Sequence, residues 1–389
     1  MNNQRIRRCL VNFLVFLSTG LSSAWLSTPV EQTTPSPTPY VHTEASHIPS
    51  RFQRLGELPV GDFWRHLQFI SEQEGWYSDS ENLWHTSDGG NSWRLLTSLG
   101  HGLQGSINQF HFASSRLGWM VQPNELYRTK NGGVTWEQIR TPMDNGAGSL
   151  ESFHFEANGE VGWIAGGIYY PVKSGNCMND AAGLLADYTP ACLNGAVFRT
   201  DDGGISWQHQ ATSKNAGRFM SIMFVDSNHG WVAGDADVQH TTDGGRTWHG
   251  DRFARGCEDY YELPDMFTTG ISFVDQRNGF LLFSCGLIAR SEDGGKTWCG
   301  LPERPDSSTC KDCYLGIQRQ FRRVLFRDID NGLALDGQGF LYETIDGGKS
   351  WQRLDTSITF ASIGYMNDTN AWVISKENEL VRVSLAPRR

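Results

Sequence analysis

The chain runs to 389 residues, with 43 glycines, 14 tryptophans and 12% aromatic residues, a composition suited to tight turns beside large buried rings rather than to long helices. Its 33 Lys+Arg against 43 Asp+Glu leave a net charge of −10, which argues against a general nucleic-acid binder built on a basic face. Hydrophobic content of 39% with 20% charged residues excludes disorder over the whole chain.

At the N-terminus, Arg5, Arg7 and Arg8 precede a mostly apolar run from Cys9 to Leu21, and Ser22, Ser23 and Ala24 offer small residues at a cleavage point. The pattern predicts a secretory signal peptide over residues 1–24. The alternative is an uncleaved membrane anchor, for which Asn12, Ser18, Thr19 and Gly20 make a poor spanning helix. Either reading places the body of the protein outside the cytoplasm, in a periplasmic, lumenal or extracellular space. Cys9 opens the apolar run rather than closing it, unlike the lipidated cysteine of a lipoprotein. Residues 25–50 are rich in Pro, Thr and Ser and read as a flexible tether. No later segment is long and apolar enough to cross a membrane as a helix.

From residue 51 onward an eight-residue pattern dominates. Thr86-Ser-Asp88-Gly-Gly-Asn-Ser92-Trp93 recurs around Asn131, Asp202, Asp243, Asp293 and Asp346, each copy ending in Trp136, Trp207, Trp248, Trp298 or Trp351. Steps of 43, 71, 41, 50 and 53 residues describe a unit of about 42 that carries insertions, the period of a four-stranded propeller blade. Ahead of each copy stands an apolar strand, a polar turn and a Gly with an aromatic or apolar residue, as in Phe224 to Gly230-Trp231 and Phe273 to Gly279-Phe280. A seventh instance, Tyr365 to Ala371-Trp372, lacks the Gly-Gly turn and a fourth strand. The expected fold is therefore all-β: one seven-bladed β-propeller over residues 51–389, its ring closed by the segment Arg51 to Val60 acting as the outer strand of the last blade. Closure removes two exposed sheet edges.

The turn residues have fold-making work. The Asp accepts N–H bonds from the turn, the Gly pair tolerates positive φ, the hydroxyls add local bonds, and the Trp packs sideways between blades. The pattern resembles the Asp-box, or BNR repeat, of sialidases and other propellers. Its Thr-x-Asp-Gly-Gly-x-Ser/Thr-Trp form, with a single seven-bladed ring and an export signal, is most similar to the photosystem II assembly and stability factor family, over about residues 51 to 386. The resemblance implies a non-catalytic scaffold that binds another protein, such as a membrane-protein assembly intermediate.

The alternative is a sialidase-like glycan-binding protein or glycoside hydrolase. Six equivalent carboxamide or carboxylate turns spread round a ring cannot converge on one substrate, so Asp88, Asn131, Asp202, Asp243, Asp293 and Asp346 read as structural and no catalytic residue is assigned. The Arg-Ile-Pro signature of sialidases is missing, Tyr260, Tyr261 and Glu262 read as an aromatic loop cluster rather than a nucleophile with its partner, and two-propeller glucanases need a cleft for which this chain has no room. Neither metal-ligand spacing nor a nucleotide or cofactor motif is present, so no metal and no cofactor are expected.

In an antiparallel blade the 1–2 and 3–4 turns share one face of the disc, and the 2–3 and 4–1 connections share the other. The Asp-box turns are 3–4 turns, so the insertions at 165–196, 252–269 and 300–320 emerge opposite them and mark a recognition face. These insertions hold or adjoin Cys177, Cys192, Cys257, Cys285, Cys299, Cys310 and Cys313, disulfide candidates with one left over. Cys177 with Cys192 and Cys257 with Cys285 are the first pairings, and Cys299 would pair with Cys310 or Cys313. The Cys310-Lys-Asp-Cys313 spacing also resembles a redox or half-zinc motif, without a second copy. Arg218, Arg319, Arg322 and Arg323 precede or open inner strands and suggest a basic patch at the channel mouth, able to grip partner carboxylates. The family resemblance implies the same use of an arginine-rich surface.

Overall fold

The computed structural model describes residues 51–59, 66–79, 81–98, 107–171, 191–234, 238–251, 268–283, 288–300 and 321–387. All lie in one unit, Ser46–Arg389. The expected signal peptide and tether, with Arg319, Tyr260, Tyr261, Glu262, Cys177, Cys257, Cys285, Cys310 and Cys313, lie outside the described residues, and Cys192 and Cys299 are placed only as backbone positions in strands.

Seven four-stranded antiparallel sheets follow one another, and no helix occurs among the described residues. Six blades use consecutive strands, whose innermost members are His66–Phe69, Gln109–Phe112, Gly148–Phe155, Phe219–Phe224, Thr268–Phe273 and Phe321–Phe326. The seventh combines Phe360–Met366, Asn370–Ser375 and Glu379–Ser384 with the N-terminal strand Phe52–Glu57, which pairs with the last of them. The seven-bladed ring closed by the N-terminal strand is thus as expected.

The repeated glycines and aromatics build the contacts between blades. Six of the inner strands end in an aromatic ring directly paired with the Gly that opens the second strand, as Phe69 with Gly75 and Phe273 with Gly279. A Cβ at Gly75, Gly118, Gly162, Gly230, Gly279 or Gly332 would stand 2.3–2.7 Å from that ring, so only glycine leaves room for it. Where blade 7 has Met366 in place of the ring, Ala371 takes the glycine position. The residue after the Gly stacks on the next blade: Trp76 on Phe112, Trp119 on Phe155, Trp163 on Phe224, Trp231 on Phe273 and Phe280 on Phe326, at centroid separations of 3.4–4.5 Å. Trp372 of blade 7 stacks on Phe69 of blade 1 at 5.2 Å and completes the circle.

The Asp-box tryptophans do a related job with different geometry. Trp93, Trp136, Trp207, Trp248, Trp298 and Trp351 present edges to the inner-strand Phe of their own blade at 5.6–6.3 Å. They also pack between blades, as expected: Trp207 donates to Arg140 O of blade 2, Trp136 packs against the cluster that holds Trp76 and Leu83 of blade 1, and Trp93 against the one that holds Trp372 and Leu380 of blade 7.

Within each turn the chemistry is as the residue types require. Asp88 Oδ1 accepts from the Thr86 hydroxyl and the Ser92 N–H, and its Oδ2 accepts from the Ser92 hydroxyl at 2.6 Å. Thr86 Oγ1 in turn accepts from the Gly90 N–H at 2.9 Å. All twelve turn glycines have positive φ, between 71° and 94°. The first Gly of each turn donates to a carbonyl of the 1–2 turn in the same blade, at 2.7–2.9 Å in all six copies, which fixes both turns on one face of the disc.

These bonds favour the ionised carboxylate. The Ser92 hydroxyl and N–H, then the Thr86 hydroxyl, hold Asp88 down at about 2, and Ser206 with Thr200 does the same for Asp202. With folded pKa values below the unfolded ones, the contribution of these turns is complete above about pH 4 and is lost as pH falls toward 2. Blade 2 already carries Asn131, whose amide donates to Thr135 Oγ1 at 2.8 Å and needs no charge. Asp88→Asn with Asp202→Asn should therefore flatten the acid limb of a melting-temperature profile between about pH 4 and 2, an outcome that circular dichroism would check.

Candidate site at the channel mouth

The inner strands wall a central channel, and five of them carry a register shift against their second strand. The shift falls between Leu150 and Ser152, Phe219 and Ser221, Thr268 and Gly270, Phe321 and Arg323, and Phe360 and Ser362. Each of these bulges leaves one residue out of the ladder, namely Glu151, Met220, Thr269, Arg322 and Ala361, and re-aims that side chain, while a second shift in blade 7, between Ile363 and Tyr365, leaves out Gly364. Three of these, Glu151, Met220 and Thr269, line a cavity of about 310 Å³ together with His66, Gln109, Ser221 and Arg323. Its lining comes from the first halves of the inner strands, which begin at the 4–1 connections. The cavity therefore opens on the insertion-bearing face, opposite the Asp-box turns.

The expected arginines differ in their surroundings. Arg218 donates to Glu151 at 2.9 Å, tying the start of blade 4 to the bulge of blade 3. Arg322 is exposed at the mouth. Arg323 stands inside the channel wall, where its Nη1 lies 3.5 Å from Ser362 Oγ of blade 7 and burial lowers its guanidinium's affinity for the proton. An arginine nevertheless keeps its charge at any working pH. Arg323 makes no ion pair with a carboxylate among the described residues.

Three inner-strand histidines were not foreseen, and one of them, His66, lines the cavity. His66 is pushed down to about 4 by burial and then by the Arg323 guanidinium, His154 is pushed to about 4 by burial and then by His111, and burial lowers His111 as well. His66 and His154 are neutral above about 4. Because the unfolded imidazoles take up protons nearer pH 6.5, acidification from there toward 4 weakens the fold. Gln68 clamps the free edge of the next inner strand, accepting from Phe112 N–H at 2.8 Å and donating to Phe112 O at 2.9 Å. The Met223 sulfur accepts from Phe273 N–H at the corresponding place three blades onward, between blades 4 and 5. A sequence signal for these residues exists in the polar positions inserted among the apolar ones of each inner strand, such as Arg322 and Arg323 before Val324, but periodicity alone does not say which point inward.

On the insertion side, blade 3 extends its middle hairpin as Gly162–Pro171 paired with Ala191–Thr200, so the base of the 165–196 insertion is a β-ladder that continues past the ring. Tyr169 is half exposed on it.

This arrangement defines a single-ring Asp-box propeller with a charged channel mouth. Residues 191–254 match the family model described as photosynthesis system II assembly factor YCF48. Among curated proteins, the photosystem II assembly lipoprotein Ycf48 of Synechococcus sp. (strain CC9902) is 26% identical over 192 residues, 47% of this chain and 51% of that protein. The chain thus aligns with about half the length of this relative. A solved structure of YCF48 bound to D1 peptide superposes with a TM-score of 0.60 at 19% identity, covering 87% of this chain and 98% of the other. YCF48 from Cyanidioschyzon merolae gives 0.54 at 15% identity, covering 86% and 99%. An ancestral GH74 enzyme gives 0.56 at 15% identity, with 85% of this chain matching 46% of the enzyme. The resemblance to the photosystem II assembly factor family suggested by the Asp-box turns is borne out in sequence and in fold, and the fold is shared with glycoside hydrolases.

Proposed function

We propose that this protein is a non-catalytic, exported propeller that holds a client protein during photosystem II assembly, through the channel-mouth face. The match to the family model carries this reading, because it is specific where the fold is shared by many activities. The curated relative is a photosystem II assembly lipoprotein and a structural neighbour binds a D1 peptide, which together supply the client class. Export fits the basic and apolar N-terminus, and membrane tethering would follow if that segment is retained. The hydrolase alternative needs two carboxylates flanking a scissile bond. Glu151 is the one acidic residue lining the cavity, and Arg218 holds it.

The test is affinity capture of the tagged chain from native photosynthetic membranes, followed by mass spectrometry. Photosystem II subunits should be enriched, and Arg319→Ala with Arg322→Ala should weaken capture about 5- to 30-fold, as loss of about 1–2 kcal/mol of interface contact would. The melting temperature should stay nearly unchanged. Capture of no photosystem subunit would overturn the reading.

A further inference from the structure

All the 1–2 turns and all six Asp-box turns lie among the described residues, and one blade differs from the rest in charge. Each of the other six blades carries at least one carboxylate there, such as Glu72 and Asp88 in blade 1, Asp226 and Asp243 in blade 4 or Asp368 in blade 7. Blade 2 carries Arg116 in its 1–2 turn and Lys130 in its Asp-box turn, with Asn131 where the other copies have Asp, so its two turns hold cations and no acid. Both cations are exposed, and neither forms an ion pair among the described residues. The Gly132 N–H donates to Arg116 O at 2.8 Å and holds the two turns together. At the tip of the same Asp-box turn Val134 is 50% exposed, and Ile205 at the matching position of blade 3 is 85% exposed, the most exposed large apolar side chain among the described residues. Blades 4, 5 and 6 place Arg246, Lys296 and Lys349 at that position. Arg128, at the foot of the blade 2 turn, donates to Gly203 O of the blade 3 turn at 3.0 Å and joins the two tips. One exposed apolar residue is ordinary on a protein surface, whereas two on adjoining tips beside two unpaired cations form a patch that points to a partner.

We propose that this rim of blades 2 and 3 docks on an anionic lipid membrane, with Val134 and Ile205 entering the headgroup layer and Arg116 and Lys130 meeting lipid phosphates. Apolar tips flanked by Lys and Arg have the composition of an interfacial membrane contact. They stand on hairpin tips, a shape that suits a yielding lipid surface better than an extended peptide, which needs a groove or a sheet edge. A net charge of −10 repels the molecule as a whole from an anionic surface, so the one cationic sector of this face also sets which edge approaches. The path of the chain agrees. Arg51 O accepts from Ser384 N–H at 2.8 Å and its side chain pairs with Glu343, the residue before the blade 6 Asp-box turn, so the preceding chain leaves from this same face. Residues 25–50 reach at most about 90 Å when fully extended, so the apolar run from Cys9 to Leu21, if retained, would keep this face near a bilayer. A marginal anchor joined to a basic patch gives stable attachment where neither suffices alone. The channel mouth lies on the opposite face and stays open, so the inference goes beyond the client-binding reading and does not depend on it.

The experiment mixes the full chain with vesicles of phosphatidylcholine alone or of phosphatidylcholine with phosphatidylglycerol, and reads flotation together with hydrogen–deuterium exchange by mass spectrometry. Anionic vesicles should slow exchange over 114–117, 129–136 and 200–207 and leave the blade 2 turn at 122–125, on the mouth face, as it was. Neutral vesicles, which can take up only an N-terminal segment, should leave all four nearly unchanged, and added salt should reverse the protection. Arg116→Gln with Lys130→Gln should cut the preference for anionic over neutral vesicles about 10- to 30-fold. Val134→Ser with Ile205→Ser should abolish the local protection. All four side chains are exposed, so the melting temperature of each double variant should match that of the unaltered chain. Absence of protection with anionic vesicles, equal protection with neutral ones, or protection unchanged in either double variant would overturn the proposal. Protection that appears without vesicles as protein concentration rises would assign the patch to a second copy of the chain and would overturn it too. Client capture is a separate readout on the other face, so loss of lipid binding with capture intact, or the reverse, tells failure of this inference from failure of the assembly role.

Discussion

Replacing Trp231 by Ala should destabilise the ring by about 3–5 kcal/mol, the range for emptying a fully packed aromatic site. Trp231 is 2% exposed, lies 3.5 Å from Phe273 of the next blade with the rings 6° from parallel, and donates from Nε1 to Gly294 O at 2.8 Å. Three losses coincide in one substitution: the buried area, the stack and the bond that ties blade 4 to the Asp-box turn of blade 5. At roughly 2 °C per kcal/mol for a domain of this size, the melting temperature should fall by about 6–10 °C. Trp231→Phe keeps the stack and gives up the bond, as Phe280 does naturally between blades 5 and 6. It should cost only about 1–2 kcal/mol, the effect of a carbonyl left without its donor. Equal effects of the two variants, measured by denaturant unfolding, would show that the indole N–H and not the ring contact holds the blades.

The repeat made the architecture legible. Thr86, Asp88, Gly90 and Ser92 form one closed hydrogen-bonded turn whose partners lie within four residues, so their spacing carries the full geometry. Blade order followed in the same way, because the small residue and the large apolar one at the start of each second strand are needed by packing alone. The channel was less legible. His66 is silent in sequence because its neighbour Arg323 is five blades away along the chain, and a contact of that kind has no local period. Arg218 was legible as a cation at an inner-strand start, but its partner Glu151 lies 67 residues earlier on a bulge that no repeat position marks. Bulges add one residue to one strand only, and that is the information a periodic reading discards.

Removal of the N-terminal strand should have an effect larger than any point substitution outside the core. A chain beginning at residue 51 should melt where the full chain does, whereas one beginning at residue 60 should lose cooperative unfolding or aggregate. The physical reason is that Phe52–Glu57 is the outer strand of blade 7, paired from Phe52 with Val383 to Glu57 with Glu379. Phe52 is buried and stacks on Phe360 at 6.0 Å, and Leu58 is 3% exposed. These two side chains alone are worth about 3–6 kcal/mol of apolar burial. Arg51 adds a bond from Nε to Ser384 O at 2.9 Å and an ion pair to Glu343 of blade 6 at 2.7 Å, so the strand fastens to two blades at once. Without it, Glu379–Ser384 becomes a free edge with its hydrogen-bonding groups open to another chain. Supplying residues 51–59 as a separate peptide should restore monomeric, cooperatively melting protein at saturating concentration, because the pairing is local to that edge. Rescue by a peptide of the same composition in scrambled order would contradict this account, since the register from Phe52 to Glu57 is what places Phe52 against Phe360.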